Sequence, residues 1–141
     1  MPTRSSSAQW SGNLARGNGT MSLGSGAFEG PYSFASRFED GDGTNPEELI
    51  AAAHAGCFSM ALANVLSQAG HEPESVETTA EVHLDKDNGG FSITRSELTT
   101  EVKVDDLDDD EFQKHADEAK RACPVSRALG AIDIGLEAKL A

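Results

Sequence analysis

One stretch of the sequence, residues 49–66, contains no charged side chain, and it limits the folds that this chain can adopt. Residues that start helices precede it: Asn45 or Thr44 can cap a helix, and Pro46 suits the first helical turn. The two glutamates after the proline complement the positive end of a helix dipole. The sequence therefore predicts one long helix over residues 45–70, made for burial.

This stretch is apolar enough to raise the question of a membrane span. Polar and small residues interrupt it, it begins directly after two glutamates, and it has no basic flank, so we expect a buried core helix.

Residues 1–10 offer no apolar run of the kind that an export signal needs. We therefore expect a cytoplasmic protein. In a reducing compartment its two cysteines would be inert core thiols or a redox pair more often than a permanent disulfide.

Composition places the chain among ordinary globular proteins, and its 141 residues are expected to form one domain. The charge balance is strongly acidic, with 24 Asp and Glu against 11 Lys and Arg and a formal net charge of −13. Such a field repels a phosphate backbone, so we expect neither nucleic acid nor an anionic membrane surface as a partner. The simplest role of the acidity is to keep the protein in solution.

The rest of the chain predicts an α+β fold. The first third predicts a β-hairpin around ARGNG, irregular chain through GSGAFEGPYS, and a strand or extended segment over residues 33–40. Residues 75–84 and 91–104 alternate as strands joined by the turn DKDNGG, which lacks the ligands of a calcium loop. An exposed helix over about residues 108–122 follows. A short helix at CPVSRALG, with Cys123 at its cap, and a strand IDIGLEAKL complete the order.

The two thiols are the side chains most open to chemistry. Cys57 lies too far along the predicted helix to be acidified by the helix dipole, and an apolar environment would raise its pKa. Cys123 receives amide dipoles directly at a cap position, so local reasoning makes it the more acidic thiol. Cys57 would need a cation from elsewhere, or else it is a small apolar core residue. No metal-ligand spacing connects the four histidines, which are His54, His71, His83 and His115.

The segment NPEELIAAAHAGCFSMAL, with SRFE before it and CPVSRAL after it, closely resembles the osmotically induced protein C / organic hydroperoxide resistance (OsmC/Ohr) family of thiol peroxidases. The resemblance covers essentially the whole chain, because the Trp10 hairpin, GTNPEELI, LDKDNGGFSIT and CPVS occur in the family's order. GTNPEELI and HAGCFSMAL are closer to the OsmC branch than to the Ohr branch. The resemblance implies an intertwined homodimer, in which β-sheets wrap around two central helices and the thiol sites lie at the subunit interface.

The resemblance also implies roles for four residues. Cys57 would be the peroxidatic thiolate that attacks the peroxide O–O bond, and Cys123 the resolving thiol that turns the resulting sulfenic acid into a disulfide. Arg37 matches the arginine that stabilises this thiolate and polarises the peroxide, and Glu47 matches the carboxylate that holds the arginine. The substrates would be organic hydroperoxides and, more weakly, hydrogen peroxide, in defence against oxidative and osmotic stress. A dithiol of the lipoyl type would be the reductant, and no metal, haem or flavin would be needed.

Other interpretations of these residues remain open. His54, one turn from Cys57, is interpreted as a packed, satisfied histidine. The alternative function is a non-catalytic homodimeric module of the same fold that binds an apolar ligand, with both cysteines as spectators. A CxxC-type disulfide oxidoreductase is not expected, because the sequence contains no CxxC motif. Four side chains could form an apolar wall beside the sulfur, although ordinary core packing is the more common role for any single one of them: Phe34, Phe38, Phe58 and Met60.

The spacing of Glu47 and Cys57 raises a geometric question. Ten residues of straight helix rise by ~15 Å, which is beyond the reach of a glutamate that must share an arginine with Cys57. Either the helix breaks between these residues, or Glu47 at each site comes from the other subunit. Nothing stronger than one glycine interrupts the segment, so we expect the second arrangement, with Arg37 supplied by the partner as well.

Overall fold

Three antiparallel strands open the chain. In the computed structural model, which describes residues 1–141, β1 (Ser6–Ser11), β2 (Asn18–Leu23) and β3 (Glu29–Tyr32) pair in chain order. The hairpin predicted around ARGNG is confirmed as β1 and β2. The third strand was not predicted, because Pro31 argues against a strand, but β3 lies at the sheet edge, where a missing N–H is tolerated.

Residues 33–40 do not form the strand or extended segment that we expected. They contain a short helix, α1 (Phe34–Phe38), because a capping box starts it. The backbone N–H of Ser36 donates to Ser33 Oγ over 3.2 Å, and the backbone N–H of Ser33 donates to Ser36 Oγ over 2.8 Å. A second serine here replaces the usual glutamate or glutamine, so the sequence signal is weak. The cap places Arg37 in the last turn of α1.

The long central helix is confirmed as α2 (Pro46–Gln68). Asn45 caps it, since Asn45 Oδ1 accepts a hydrogen bond from the backbone N–H of Glu48 over 2.7 Å. The Thr44 hydroxyl instead donates to the Glu48 carboxylate over 2.7 Å. The helix ends at Gln68, and in the turn that follows, Gly70 has a φ of +90°, which suits a residue without a side chain.

Helix α2 is less buried than its composition suggests. It is long and apolar enough to cross a membrane by length and composition, a test that the core helix of a soluble protein also passes. Phe58, Leu62 and Leu66 are fully buried. The opposite face stays open in the single chain, and its uncharged exposed residues are Ala52, Ala53, Gly56, Met60 and Asn64.

The second sheet consists of β4 (Ser75–Asp87), β5 (Gly90–Lys103) and β6 (Asp133–Leu140). Strands β4 and β5 pair antiparallel, and β6 pairs parallel to β5, so all three predicted strands are confirmed. The hairpin turn is tighter than expected. It contains only Asn88 and Gly89, whose φ values of 40° and 83° suit the twist of a two-residue hairpin.

Two helices lie between β5 and β6, and both were predicted. Helix α3 (Asp109–Ala122) is capped by Asp108, and helix α4 (Pro124–Ala128) is capped by Cys123. The apolar faces of α2, α3 and the second sheet share one hydrophobic core, so the fold is α+β as predicted. The buried members of this core are Phe58, Leu62, Leu66, Leu98, Val102, Phe112, Ala116, Ala119 and Cys123.

The chain divides into two compact units, residues 1–49 and residues 50–141. The first contains the sheet of β1, β2 and β3 together with α1 and the first residues of α2. The second contains the rest of α2, the sheet of β4, β5 and β6, and helices α3 and α4.

Candidate active site

Residues 50–141 bring the two thiols together. Cys57 lies on α2, Cys123 lies between α3 and α4, and both are free thiols. Each thiol is among the groups that shift the pKa of the other, so the two side chains are neighbours. Their exposure differs, because Cys57 is partly buried whereas Cys123 is fully buried at 0%. A small molecule from solution therefore reaches Cys57 more easily than Cys123.

The environment of Cys57 disfavours its thiolate. Burial raises the pKa of the Cys57 thiol, and the neighbouring Cys123 raises it further, while a hydrogen bond from the backbone N–H of Val125 acts in the opposite direction. This agrees with the expectation from the sequence that Cys57 is not activated by its own helix. No cation is among the groups that act on Cys57 in the single chain.

The environment of Cys123 favours its thiolate. Burial alone would raise the pKa of Cys123, but hydrogen bonds from the backbone and side chain of Ser126, from Cys57 and from the backbone of Val125 lower it. The backbone N–H of Ser126 lies 3.5 Å from Cys123 Sγ, as expected for a residue that caps helix α4. Within one chain, Cys123 is therefore the more acidic thiol, as local reasoning predicted.

A buried polar cluster extends from Cys123 into the core. The His54 ring is 0% exposed, and each of its nitrogens contacts a serine hydroxyl. Nδ1 lies 2.7 Å from Ser96 Oγ, and Nε2 lies 2.8 Å from Ser126 Oγ. Burial lowers the pKa of His54, so the ring is neutral at physiological pH. The sequence indicated a satisfied histidine at this position but not its partners, which lie 42 and 72 positions away.

Residues 1–49 bring Arg37 and Glu47 together. Arg37 Nε donates to Glu47 Oε1 over 2.9 Å, and Arg37 Nη2 donates to Glu47 Oε2 over 3.1 Å. This is a forked ion pair, the arrangement in which an arginine is held most firmly. The carboxylate is buried, with 9% of the side chain exposed, whereas the arginine side chain is 34% exposed. The fork leaves Nη1 of Arg37 for another acceptor.

Ser36 connects helix α1 to the start of helix α2 and so supports this ion pair. The Ser36 hydroxyl donates to the backbone carbonyl of Thr44 over 2.7 Å, and Asn45 Nδ2 donates to the carbonyl of Ser36 over 3.0 Å. Because Ser36 and Glu47 are both buried, these hydrogen bonds have little competition from water. The neighbour of Ser36 in α1, Arg37, is therefore held beside the first turn of α2.

A pocket of about 250 Å³ lies beside Arg37. Phe34 and Phe38, two of the four candidates for an apolar wall, line it, with ring centroids 4.8 Å apart. The other two do not line it: Phe58 is fully buried in the core, and Met60 is 76% exposed on α2. The remaining lining residues are Trp10, Leu14, Tyr32 and Ser33.

One histidine takes part in a cluster that the sequence did not indicate. Potential ligand atoms of Glu81, His83 and Glu97 lie within 4.8 Å of one another and could hold a metal ion. The cluster could not be recognised from spacing, because Glu97 pairs with Glu81 across neighbouring strands. The guanidinium of Arg95 lies 3.6 Å from Glu97 Oε1 and 3.5 Å from His83 Nδ1. That positive charge opposes a bound cation, so an ion-paired sheet surface explains the cluster.

Comparison with known proteins gives consistent results. The family model described as OsmC-like protein matches residues 39–137, a range that includes Glu47 and both cysteines and begins two residues after Arg37. Over 125 residues, the sequence is 51% identical to Peroxiredoxin OsmC of Escherichia coli (strain K12), covering 88% of this chain and 87% of that protein. Over 99 residues, it is 38% identical to Organic hydroperoxide resistance protein OhrB of Bacillus subtilis (strain 168), covering 69% of this chain and 71% of that protein.

A solved structure supports the same relationship. The crystal structure of the organic hydroperoxide resistance protein OhrB of Bacillus subtilis superposes with a TM-score of 0.72 at 31% sequence identity. The superposition covers 95% of this chain and 97% of that one. The similarity therefore extends over nearly the whole of both chains.

Proposed function

The chain belongs to the OsmC family and is a thiol peroxidase, and we propose that it reduces organic hydroperoxides to alcohols through Cys57 and Cys123. The observation that carries this proposal is the pair of neighbouring free thiols, one partly accessible and the other fully buried. A spectator role would not require two thiols to meet in this way. The higher identity to Peroxiredoxin OsmC than to OhrB supports the OsmC branch.

The proposed reaction has three steps. The Cys57 thiolate attacks the hydroperoxide, the O–O bond breaks, and Cys57 becomes a sulfenic acid. The released alkoxide takes up one proton and leaves as the alcohol. Cys123 then attacks the sulfenic sulfur, so that an S–S bond forms, the S–O bond breaks and water leaves. An external dithiol, which we propose to be lipoyl-type, reduces the disulfide and is itself oxidised to a cyclic disulfide. These steps use only thiols and the peroxide, so none requires a metal, haem or flavin.

The different exposure of the thiols supports the assignment of their roles. A peroxidatic sulfur must meet a substrate from solution, which suits the partly buried Cys57, whereas a resolving sulfur needs to reach only Cys57. The lowered pKa of Cys123 also fits the resolving role, because the thiolate is the attacking species. The raised pKa of Cys57 means that its thiolate needs a cation in the active state.

We propose that Arg37 is this cation and that it comes from a second copy of the chain. Glu47 holds Arg37 at the start of α2, and α2 continues without a break from Pro46 to Gln68. Ten residues of helix rise by ~15 Å, so the first turn of one helix does not reach Cys57 of the same helix. Two antiparallel central helices would place the first turn of one beside the middle of the other. The uncharged exposed face of α2 supports a homodimer, in which that face would be covered.

The pocket beside Arg37 supports an organic substrate. Its aromatic lining suits the apolar substituent of an alkyl hydroperoxide, while the free Nη1 of Arg37 can donate to the peroxide oxygens. Hydrogen peroxide lacks a group to fill such a pocket. We further propose that residues 1–141 act as one OsmC-like domain in the cytoplasm, protecting the cell during oxidative and osmotic stress. Coverage of 95% of the chain by the solved OhrB structure supports the single domain.

Stopped-flow mixing of reduced protein with an alkyl hydroperoxide and, separately, with hydrogen peroxide tests this proposal. We expect the alkyl hydroperoxide to react about tenfold faster or more, because burial of a small apolar group is worth about 1–3 kcal/mol. Phe34→Ala should reduce this preference. Phe91→Ala, an exposed phenylalanine outside the pocket, is the control and should leave the preference unchanged. Consumption of neither peroxide would support the non-catalytic alternative and contradict the proposed function.

Mixing an inactive variant with a strongly impaired one tests the composite site. Cys57→Ser and Arg37→Ala chains are refolded together in equal amounts so that they can exchange. Each heterodimer should contain one working centre, and random pairing predicts about a quarter of the wild-type activity. Native mass spectrometry counts the heterodimers, and refolding of each variant alone is the control. If heterodimers form but the mixture is no more active than the two variants refolded alone, each site is built within one chain and the composite arrangement is wrong.

A further inference from the structure

The buried imidazole next to the thiols has no role in the reaction described above. We propose that His54 is a positioning residue for the resolving step: it orients the Ser126 hydroxyl toward Cys123 and thereby sets how readily Cys123 attacks the sulfenic acid. The inference rests on the proposed resolving role of Cys123. Its geometric basis is an uninterrupted chain of contacts from Ser96 through His54 and Ser126 to Cys123.

Each contact in this chain is short and shielded from water. Ser96 and His54 are 0% exposed, Ser126 is 5% exposed, and Cys123 is 0% exposed. The two contacts of the ring measure 2.7 and 2.8 Å, and the backbone N–H of Ser126 lies 3.5 Å from Cys123 Sγ. The Ser126 side chain is also among the groups that lower the pKa of Cys123. Because water cannot replace a missing partner in such a cluster, each group depends on the orientation of its neighbour.

The position of Ser126 explains how a single histidine can act on the sulfur. Ser126 lies three residues after Cys123, in the first turn of α4, so both its backbone N–H and its hydroxyl face the sulfur of the capping cysteine. The N–H is fixed by the helix. The hydroxyl proton can rotate, and its direction depends on which neighbour donates to Ser126 Oγ.

The neutral ring can supply that donor. One of its nitrogens carries a proton and the other accepts. When Cys123 is a thiolate, the consistent arrangement has the Ser96 hydroxyl donating to Nδ1, Nε2–H donating to Ser126 Oγ, and the Ser126 hydroxyl donating to the sulfur. A residue at position 54 that cannot donate leaves the Ser126 hydroxyl without this constraint. The hydrogen bond to the thiolate is then weakened.

The orientation of the Ser126 hydroxyl matters for the resolving step because the thiolate is the reactive form of Cys123. The sulfur of Cys123 loses its proton and forms a bond to the sulfur of Cys57. The hydroxide released from the sulfenic acid takes up one proton and leaves as water. No other oxidant or reductant takes part. A lower thiolate fraction slows disulfide formation without changing the earlier reaction of Cys57 with the peroxide.

Titration of Cys123 in a Cys57→Ser background tests the inference without any peroxide turnover. Of the groups hydrogen-bonded to Cys123, only Cys57 ionises, so its removal leaves one thiol to follow by thiolate absorbance. We expect His54→Leu to raise the pKa of Cys123 by about one pH unit, a size typical for the loss of one hydrogen bond to the charged form. His54→Gln should restore part of the difference, because its amide can donate to Ser126.

Two further variants separate this role from simple packing. Ser59→Ala is the matched control, because Ser59 also lies on α2 and makes a 2.7 Å hydrogen bond, to Thr78, away from the thiols. It should leave the Cys123 titration unchanged. Ser126→Ala should raise the pKa as much as His54→Leu, and the double variant should raise it no further. If His54→Leu does not fold, His54→Gln and Ser126→Ala still carry the test, since both keep a residue of similar size.

Equal Cys123 titrations in the His54, Ser126 and Ser59 variants would overturn the inference. Additive changes of the Cys123 pKa from His54 and Ser126 would also overturn it, because the histidine would then act independently of the serine. In the chain with both cysteines, we expect His54→Leu to slow disulfide formation by up to about tenfold at pH values below the Cys123 pKa, because there the thiolate fraction falls about tenfold when the pKa rises by about one pH unit. The rate of sulfenic acid formation should not change. A higher Cys123 pKa without this kinetic effect would contradict the role in resolution, whereas failure of every variant to consume peroxide would contradict the proposed function itself.

Discussion

Replacement of Cys57 by serine is expected to abolish peroxide consumption, whereas replacement of Cys123 by serine is expected to leave one equivalent of consumption per chain. A serine hydroxyl does not ionise at neutral pH and cannot attack the O–O bond. Cys123→Ser keeps the attacking sulfur but cannot form the disulfide, so the reaction stops after one turnover. Peroxide loss, measured with limiting protein and without reductant, checks both outcomes.

This pair of variants tests whether the accessibility or the acidity of a thiol decides which cysteine attacks the peroxide. The lowered pKa of Cys123 on its own would favour it as the attacking thiol. Its complete burial argues the other way, because the substrate must reach the sulfur before acidity matters. Consumption of one equivalent of peroxide by Cys57→Ser, with none by Cys123→Ser, would show that acidity decides and that the two roles are reversed. Thermal unfolding of both variants controls for a loss of folding.

Arg37→Ala is expected to raise the pKa of Cys57 by about one pH unit or more, because a partly buried thiolate loses its counter-charge. The thiolate is the reactive form, so a higher pKa moves the rise of the rate to higher pH. At pH values below the pKa of Cys57, the reaction should slow about tenfold if the pKa rises by about one pH unit. Above the new pKa, the thiolate fraction is restored. The dependence of the peroxide rate on pH, together with thiolate absorbance, measures the effect.

Two related variants test whether the effect depends on the guanidinium group at position 37. Arg37→Lys should restore only part of the rate, since a lysine keeps the charge but cannot form the fork to both oxygens of Glu47. Arg16→Ala is the matched control, because Arg16 is exposed and lies in the same compact part of the chain, in the turn between β1 and β2. An unchanged Cys57 titration in Arg37→Ala would show that another group activates the sulfur.

Much of the fold could be predicted because its signals are local. Helices α2, α3 and α4 have caps and charge patterns at their ends, and the strands of the second sheet alternate in polarity. Helix α1 was missed because its capping box uses Ser36 instead of an acidic residue or glutamine. Strand β3 was missed because Pro31 can stand only at an edge, and the sequence does not say which strand is the edge.

The helix at the centre of the fold illustrates a limit of composition. Absence of charge predicted burial for the whole of α2, but only one face is buried within the chain. Hydrophobic periodicity does not distinguish a face that packs inside one chain from a face that packs against another copy. The exposed Met60 belongs to the second kind if the proposed homodimer is correct.

The proposed site also contains some features that the sequence indicates and others that only the fold creates. Cys57, Cys123, Arg37 and Glu47 could be selected from the sequence because the motifs around them are specific. The partners of His54 could not, since Ser96 and Ser126 meet the ring only after β5 and α4 have packed around α2. A polar residue inside an uncharged helix was the one available signal, and it indicated a satisfied histidine without naming its neighbours.

The most direct test of the assigned thiol roles is mass spectrometry after trapping with dimedone, which reacts with sulfenic acids. Cys123→Ser is treated with one equivalent of alkyl hydroperoxide, labelled and digested, and Cys57→Ser is treated in parallel. We predict one dimedone adduct on Cys57 in the first variant and none in the second. An adduct on Cys123 in the Cys57→Ser variant, with one equivalent of peroxide consumed, would contradict the assigned roles.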